Sequence, residues 1–505
     1  VTHHDHDQVQ LRERVKEPPS EDLVRYFNLP GLAAELKVAF DPQMQIHLAH
    51  TVMLARQGII ANADARAILT ALEAIREAGP AGITPDPGLE DLYSHLERAL
   101  IRQVGPDVGG RMHTGRSRND LGVTTARLVL RAHALELIDR LLAFLGVLLD
   151  LAEQHVETVM PGLTHSQHAQ VITLGYYLAA LADVVSRDLD RIEAAYGRVN
   201  RNPLGAAALT TTGFPLDRQL TTRFLGFDGL VENGYDAIVS RDDVTELAAA
   251  VAMLMTDLSR LCEDLWIWST LEFSYVELAD RYSSVSSIMP QKKNPGVIEK
   301  LKALSAQAIG DAMAAFAAVK NVSFSECGDA QTGGNAPLHD ALDAAIASLD
   351  LCCGFLPTMT IKKERLRHLA AIGYATMTEL ADTIVREKGM SFRMAHNIVG
   401  KTVQRAIDDG KSAIELTTAM LDESSEELFG HPLGLSTEGL RQALDPWENI
   451  RVRRITGGPA PEEMARMLGH ARERLAGAQD RQDGRHTRVF AARKTLATAV
   501  RAITG

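Results

Sequence analysis

The chain has 505 residues, 46% of them hydrophobic and 23% charged, which is ordinary for a globular protein. That length gives room for roughly three domains. The net charge of -12 excludes a general nucleic-acid binder, which needs basic excess to neutralise phosphate, but leaves room for a local basic site.

Cys262, Cys327, Cys352 and Cys353 have the spacing of neither a zinc site nor a disulfide framework, and a reducing, cytoplasmic setting fits them. The N-terminal stretch VTHHDHDQVQLRERVKEPPSED lacks the apolar core of a signal peptide. His3, His4 and His6 offer a loose metal-binding tail, and the simpler reading is a polar, disordered start. No apolar run reaches the roughly 20 residues of a membrane helix. Short helical pieces follow, MQIHLAHTVMLARQGII and ADARAILTALEAIREAG, with the proline-rich break TPDPG.

From Gly122 to Thr158 an apolar stripe runs at helical spacing through Leu128, Ala132, Leu135, Ile138, Leu142, Leu145, Leu149 and Ala152. It predicts roughly 50 Å of helix. Further stripes lie at 173–199, 239–275, 295–319 and 336–352, and convincing alternating strands are absent. Five long helices predict an all-α protein built on an extended bundle. The domains expected are 1–118, short helices; 119–368, the bundle; and 369–505, shorter helices broken by FGHPLGLS and ITGGPAPEE. AAAVAMLMTDLSRLCEDLWIWSTL is apolar on more than one face, so the bundle is expected to continue into partner subunits.

Three polar segments sit badly with a bundle core. HTGRSRNDL, from His113 to Leu121, precedes the longest stripe, and Asn119 or Asp120 would make a good N-cap. Arg116, Ser117, Arg118 and Asn119 then present a guanidinium, a hydroxyl and an amide at a positive helix end, a set suited to carboxylate or phosphate. A merely capped, solvated helix start fits equally well. PGLTHSQHAQ, from Pro161 to Gln170, puts Thr164, His165, Gln167 and His168 in a turn between two long helices, where acid–base work is one reading. SSVSSIMPQKKNP, from Ser283 to Pro295, is too rich in Ser for a good helix and has no glycine for a P-loop. It reads as a flexible connector, and such loops often carry function.

Taken in order, HTGRSRND, PGLTHSQHAQ and SSIMPQKKNP resemble the three signature regions of the aspartase/fumarase superfamily, and the first is similar to that of argininosuccinate lyases. LDPWENIRVRRITGGPAPEEM resembles the C-terminal tail of the same family, so the likeness spans nearly the whole chain. The resemblance implies an all-α, three-domain fold whose five long helices form a shared core in a homotetramer. Each site would draw its three polar segments from three different subunits. It implies a carbon–nitrogen lyase that releases fumarate from an N-succinyl compound, a small dicarboxylate substrate, by reversible β-elimination. No metal or organic cofactor is implied, and no nucleic-acid or membrane partner.

The hard step in that chemistry removes a proton from carbon beside a carboxylate, storing charge as an aci-form dianion that needs donors and a cation aimed at it. By the resemblance, Ser286 is the general base, with Lys292 and backbone N–H groups stabilising its alkoxide. His165 pairs with Glu299 to position a proton donor or water. Ser117, Arg118, Asn119, Thr164, Lys292 and Asn294 hold substrate carboxylate. Gln167, Ser287 and Met289 complete the substrate-binding set, with Ser287 weighted towards loop conformation alongside Ser283, Ser284 and Lys293.

The sequence departs from the family pattern in three places. Val285 stands where most members have Gly, which stiffens the loop. Tyr93 stands where argininosuccinate lyases usually have His. NVSFSECGDAQTGGNAPLHD, from 321 to 340, replaces a charged run that contacts the arginine half of the substrate. The fumarate-half residues are kept and the amine-half residues are not. This favours a different N-succinyl amine, such as an aminopolycarboxylate of the kind split by ethylenediamine-N,N'-disuccinate (EDDS) lyases, which resemble argininosuccinate lyases in fold and motifs. Argininosuccinate itself is the alternative substrate, and a non-catalytic crystallin-like role the third reading.

Overall fold

A computed structural model describes residues 17–505, the side chains of 330–332 excepted, so the His3, His4 and His6 tail lies outside the described residues. Near the N-terminus, α1 (Phe40–Arg56), α2 (Asn62–Ala78) and α3 (Leu92–Val104) bury Met44, Leu48, Ile68, Leu72, Leu96 and Leu100 in one cluster. Five long helices then form the bundle: α4 (Arg118–Gln154), α5 (Leu174–Val199), α6 (Asp242–Trp268), α7 (Gly296–Val319) and α8 (Gly328–Phe355). The all-α bundle fold is as the stripes predict.

The helix that begins at Gly328 starts ahead of its apolar stripe and carries Pro337 inside it. Gly333 and Gly334 in its first turns lie against α7, and a methyl added at Gly333 would lie 3.2 Å from Ala318 Cβ. Close approach of backbones replaces apolar periodicity there. By length and composition the stretch Gly333–Thr358 passes for a membrane span, which corrects the expectation that no run does. Half of its most apolar window is buried inside the structure, as suits a bundle core helix.

Successive bundle helices run antiparallel, so each end of the bundle gathers distinct segments. At one end the Arg127 guanidinium donates to Arg198 O at 2.7 Å and pairs with Asp243 at 3.4 Å, joining the start of α4 to the end of α5 and the start of α6. At the other end the Tyr177 hydroxyl donates to Asp264 at 2.6 Å and its ring meets Trp268. Glu263 pairs with Lys302 at the start of α7, and Tyr282 meets Phe355 at the end of α8.

Between α4 and α5 the chain forms a β-hairpin, β1 (Val159–Thr164) paired antiparallel with β2 (Gln167–Thr173), where a plain turn was expected. The first four residues of β1 are all buried, which left no alternation to read. Later, the two-residue β3 (Ser284–Val285) pairs with β4 (Lys293–Asn294).

Beyond the bundle, α9 (Met377–Lys388), α10 (Phe392–Asp408), α11 (Thr418–Phe429) and α12 (Thr437–Leu444) enclose Leu380, Ile384, Ile398, Leu421 and Leu440. The expectation of only short helices here fails at α13 (Pro461–Thr504), 44 residues long. It buries Met464, Leu468 and Leu475 against the bundle, and Leu496, Ala499 and Val500 against the N-terminal cluster. The expected 369–505 unit therefore divides, with its last helix spanning the other two regions.

Candidate active site

The segment His113–Leu121 is a tight turn feeding α4. Ser117, not Asn119 or Asp120, is the N-cap, because it alone has the extended backbone the position needs, at φ -125° and ψ 165°. Its hydroxyl oxygen accepts from Asn119 N–H at 3.2 Å, which leaves the hydroxyl proton to donate outward. Asp120 closes the capping box by accepting from Ser117 N–H at 2.9 Å. Its second oxygen accepts from Gly205 N–H and Ala207 N–H at 2.9 and 3.0 Å. Asn119 donates from its amide to Ala208 O at 3.2 Å. The helix start is thus bolted to the loop at 205–208.

Arg118 is exposed and pairs with Glu90 at 2.9 Å and Asp91 at 3.2 Å. Arg116 does not join it: its guanidinium nitrogens are buried and the residue is only 6% exposed, which corrects the expectation that both arginines face outward. Tyr93 is also buried, donating to Glu97 at 2.5 Å with His113 Nδ1 2.9 Å from its oxygen. The histidine-to-tyrosine difference therefore lies beneath the turn. Sequence reading missed the polar stripe facing this region from α1. Gln43, His47 and His50, spaced i, i+4 and i+7, were the available signal.

The second segment is the hairpin tip. His165 and Ser166 form its two-residue loop with φ 53° and 58°, a type I′ geometry normally supplied by Asn-Gly. Two non-glycine residues in the left-handed region cost about 1–2 kcal/mol each. Thr164, His165 and Gln167 all stand exposed on this tip. His168 is instead half-buried against Gly373, and burial lowers its pKa.

The third segment, around Ser286, is a loop closed at its base by the β3–β4 ladder, Ser284 opposite Asn294 and Val285 opposite Lys293. It is more anchored than a flexible connector. Val285 lies in extended ladder and is absent from the positive-φ residues, so its position does not need a glycine. Ser286 Oγ accepts from Met289 N–H at 3.0 Å and Ile288 N–H at 3.4 Å. The two lysines are treated differently. Lys293 pairs with Glu277 at 3.2 Å and Asp280 at 2.8 Å, whereas Lys292 makes no salt bridge among the described residues. Ser287, Met289 and Lys292 are exposed on the loop, and Glu299 is exposed on the first turn of α7.

One chain does not bring these segments together. Helix α4 separates Ser117 from the hairpin by 37 residues, about 55 Å at 1.5 Å per residue. The Ser286 loop lies at the hairpin end of the bundle, since it leads into α7 beside Glu263. No hydrogen bond links His165 to Glu299 within the chain among the described residues.

Comparison with known proteins places this bundle in a family. Residues 35–310 match the lyase family and residues 374–451 the argininosuccinate lyase C-terminal family. The chain is 40% identical over 464 residues to the argininosuccinate lyase of Methanocaldococcus jannaschii, covering 92% of this chain and 94% of that protein. It is 43% identical over 423 residues to that of Methanothermobacter thermautotrophicus, covering 84% and 90%. The crystal structure of EDDS lyase in complex with formate matches with a TM-score of 0.87 at 33% identity, covering 97% of each chain. The chain belongs to the argininosuccinate lyase family of the aspartase/fumarase superfamily and is a fumarate-forming carbon–nitrogen lyase.

Proposed function

We propose that the protein releases fumarate from an N-succinyl amine or amino acid whose amine half is not arginine, with an aminopolycarboxylate such as EDDS as the test substrate. The observation that carries this reading is a contrast. The fumarate-half residues are all present, while segment 321–340 keeps only Glu326, Asp329 and Asp340 in place of a charged run, and Glu326 is engaged with Arg241 at 3.1 Å. A site that has lost most of a guanidinium's dedicated charged partners discriminates steeply against it, because an unpaired buried charge is costly.

In this reading Ser286 removes the proton from carbon. A hydroxyl is a poor base, and the Met289 and Ile288 N–H groups aimed at its oxygen favour the alkoxide. Lys292 adds a positive charge as the loop closes. The carbanion is held as an aci-carboxylate by Ser117, Arg118, Asn119, Thr164, Lys292 and Asn294. Arg118 exchanges Glu90 and Asp91 for the substrate carboxylate. The C–N bond then breaks, the electron pair leaves on nitrogen, and His165 with Glu299 orients the group that protonates it. Gln167, Ser287 and Met289 line the substrate.

Because one helix holds Ser117 and the hairpin about 55 Å apart, the site is composite, built in a homotetramer from ends contributed by different subunits. A fully active monomer in sedimentation would contradict this.

Argininosuccinate is the second reading, favoured by the relatives of that name at 40% and 43% identity. The deciding test is kcat/KM for EDDS and argininosuccinate side by side, followed by fumarate absorbance. An argininosuccinate preference above about tenfold, 1.4 kcal/mol, selects the second reading.

A further inference from the structure

Beside the base of the hairpin lies a cavity of about 170 Å³ that the proposed reaction does not use. Its apolar walls are Leu174 and Leu178 from α5, Leu261, Leu265 and Trp268 from α6, and Leu356, all of them buried. An apolar cavity of about 150 Å³ stays dry and takes up benzene. This one therefore has room for a body the size of one aromatic ring.

The polar side chains on its lining are Gln154, His155, Tyr177 and Lys363, and no Asp or Glu lines it among the described residues. The Tyr177 hydroxyl is spent on Asp264, at 2.6 Å, and Asp264 itself stands off the lining. His155 is buried, with Nδ1 2.9 Å from Thr158 Oγ1, and its Nε2 makes no hydrogen bond among the described residues. Burial, and then the charge of Lys363, holds the His155 pKa below its ordinary value, so the ring is neutral at pH 7 and Lys363 carries the positive charge of the cavity.

That charge has no counter-ion on the lining. Lys362 donates to Ser274 at 2.9 Å and pairs with Glu277 at 3.8 Å, whereas Lys363 makes no salt bridge among the described residues. Lys363 opens the helix Lys363–Ile372, whose start has no side-chain cap, so free backbone N–H groups add to the positive end. Glu364, in the same first turn, is exposed and does not line the cavity.

We propose that this cavity binds a small monocarboxylate with an apolar body of one-ring size, its ring among Leu178, Leu265 and Trp268 and its carboxylate on the Lys363 ammonium. A dicarboxylate such as fumarate would bury a second charge among leucines and is excluded. An uncharged ring fills the same walls but leaves Lys363 unused, and is the weaker occupant. Through His155 and Leu174 the ligand would adjoin the hairpin, and through Val276, paired with Ile361, the segment that leads to the Ser286 loop. The proposal does not depend on which amine half the enzyme accepts.

The test titrates the full-length protein calorimetrically at neutral pH with benzoate and with benzyl alcohol. Saturating fumarate is present throughout, so that carboxylate sites of the reaction are already filled. The expected result is one benzoate per chain, bound at least about tenfold tighter than benzyl alcohol. Lys363→Met changes an exposed side chain and should remove that preference. Leu261→Phe fills the cavity and should abolish binding of both. Should that variant fail to fold, a crystal structure with benzoate should show the ring against Leu265 and Trp268. Absence of saturable benzoate binding, a preference that survives Lys363→Met, or benzoate found only outside the cavity would each overturn the proposal.

Discussion

The turn at 113–120 and the loop at 283–295 carry the two halves of the proposed chemistry and are built in opposite ways. The turn is capped, bolted to a second loop through Asp120, and backed by buried side chains. The loop stands out from the bundle, with Val285 and Ile288 86% and 84% exposed, and is pinned mainly by a four-residue ladder and the Lys293 ion pairs. A carboxylate clamp gains from being fixed before substrate arrives, since preorganised donors need no reorganisation in the transition state. A base that must exclude water gains from a segment that closes afterwards. The division predicts that defects in the turn act through stability and binding, and defects in the loop through turnover.

The largest effect is expected in the loop. Ser286→Ala should lower turnover at least about 10³-fold, 4 kcal/mol in barrier, with folding intact. Retention of more than about a tenth of the wild-type rate would move the base elsewhere. Next comes the turn. Asp120→Ala leaves three backbone N–H groups without their acceptor and should cost about 2–4 kcal/mol of stability in denaturant titration. A loss under about 0.5 kcal/mol would show that the bolt is dispensable.

A smaller contrast separates the neighbouring lysines. Lys292→Met should weaken fumarate binding and turnover by about tenfold or more, because charge on the carboxylate grows towards the transition state. Lys293→Met breaks only exposed ion pairs and should change turnover less than about threefold. Equal effects would remove the distinction between them.

The smallest effect is in pH dependence. The histidines behind the turn are held below their ordinary value of 6.5, mainly by burial, so the folded state binds fewer protons than the unfolded chain. Their contribution is complete above pH 6.5 and is lost as pH falls towards about 4. In the loop, Lys293 holds Asp280 below the usual carboxylate range, so that pairing persists to lower pH. Amide exchange corrected for intrinsic rate should accelerate at 113–120 over this window and stay level at the Ser284–Asn294 ladder. Parallel acceleration in both would erase the comparison.

The same contrast explains what the sequence disclosed. The bundle was legible because leucines at helical spacing, such as Leu135, Ile138, Leu142 and Leu145, bury one continuous core. The three polar segments were legible as interruptions of that pattern. Their placement was not, since nothing in TGRSRND says which arginine turns inward. The hairpin escaped because His165-Ser166 replaces the usual turn residues and β1 is buried along its first residues. Helix α13 escaped although Met464, Leu468, Leu475, Ala478, Leu496 and Ala499 keep helical spacing. Its stripe passes through the polar Gln482 and Arg485, which are buried through bonds to Leu135 O and Glu193.

Helix α4 is also a ruler. Its 37 residues set the separation between the proposed substrate clamp and the hairpin, and an α-helix stretches very little. Deleting one residue would shorten it by about 1.5 Å and rotate everything beyond by about 100°, turning buried leucines towards solvent. Deleting seven would restore the rotation to within about 20° while drawing the ends about 10 Å closer. Length variation in this helix should therefore come in near-heptad steps, matched by α5, α6, α7 and α8, so the bundle can grow or shrink only as a set.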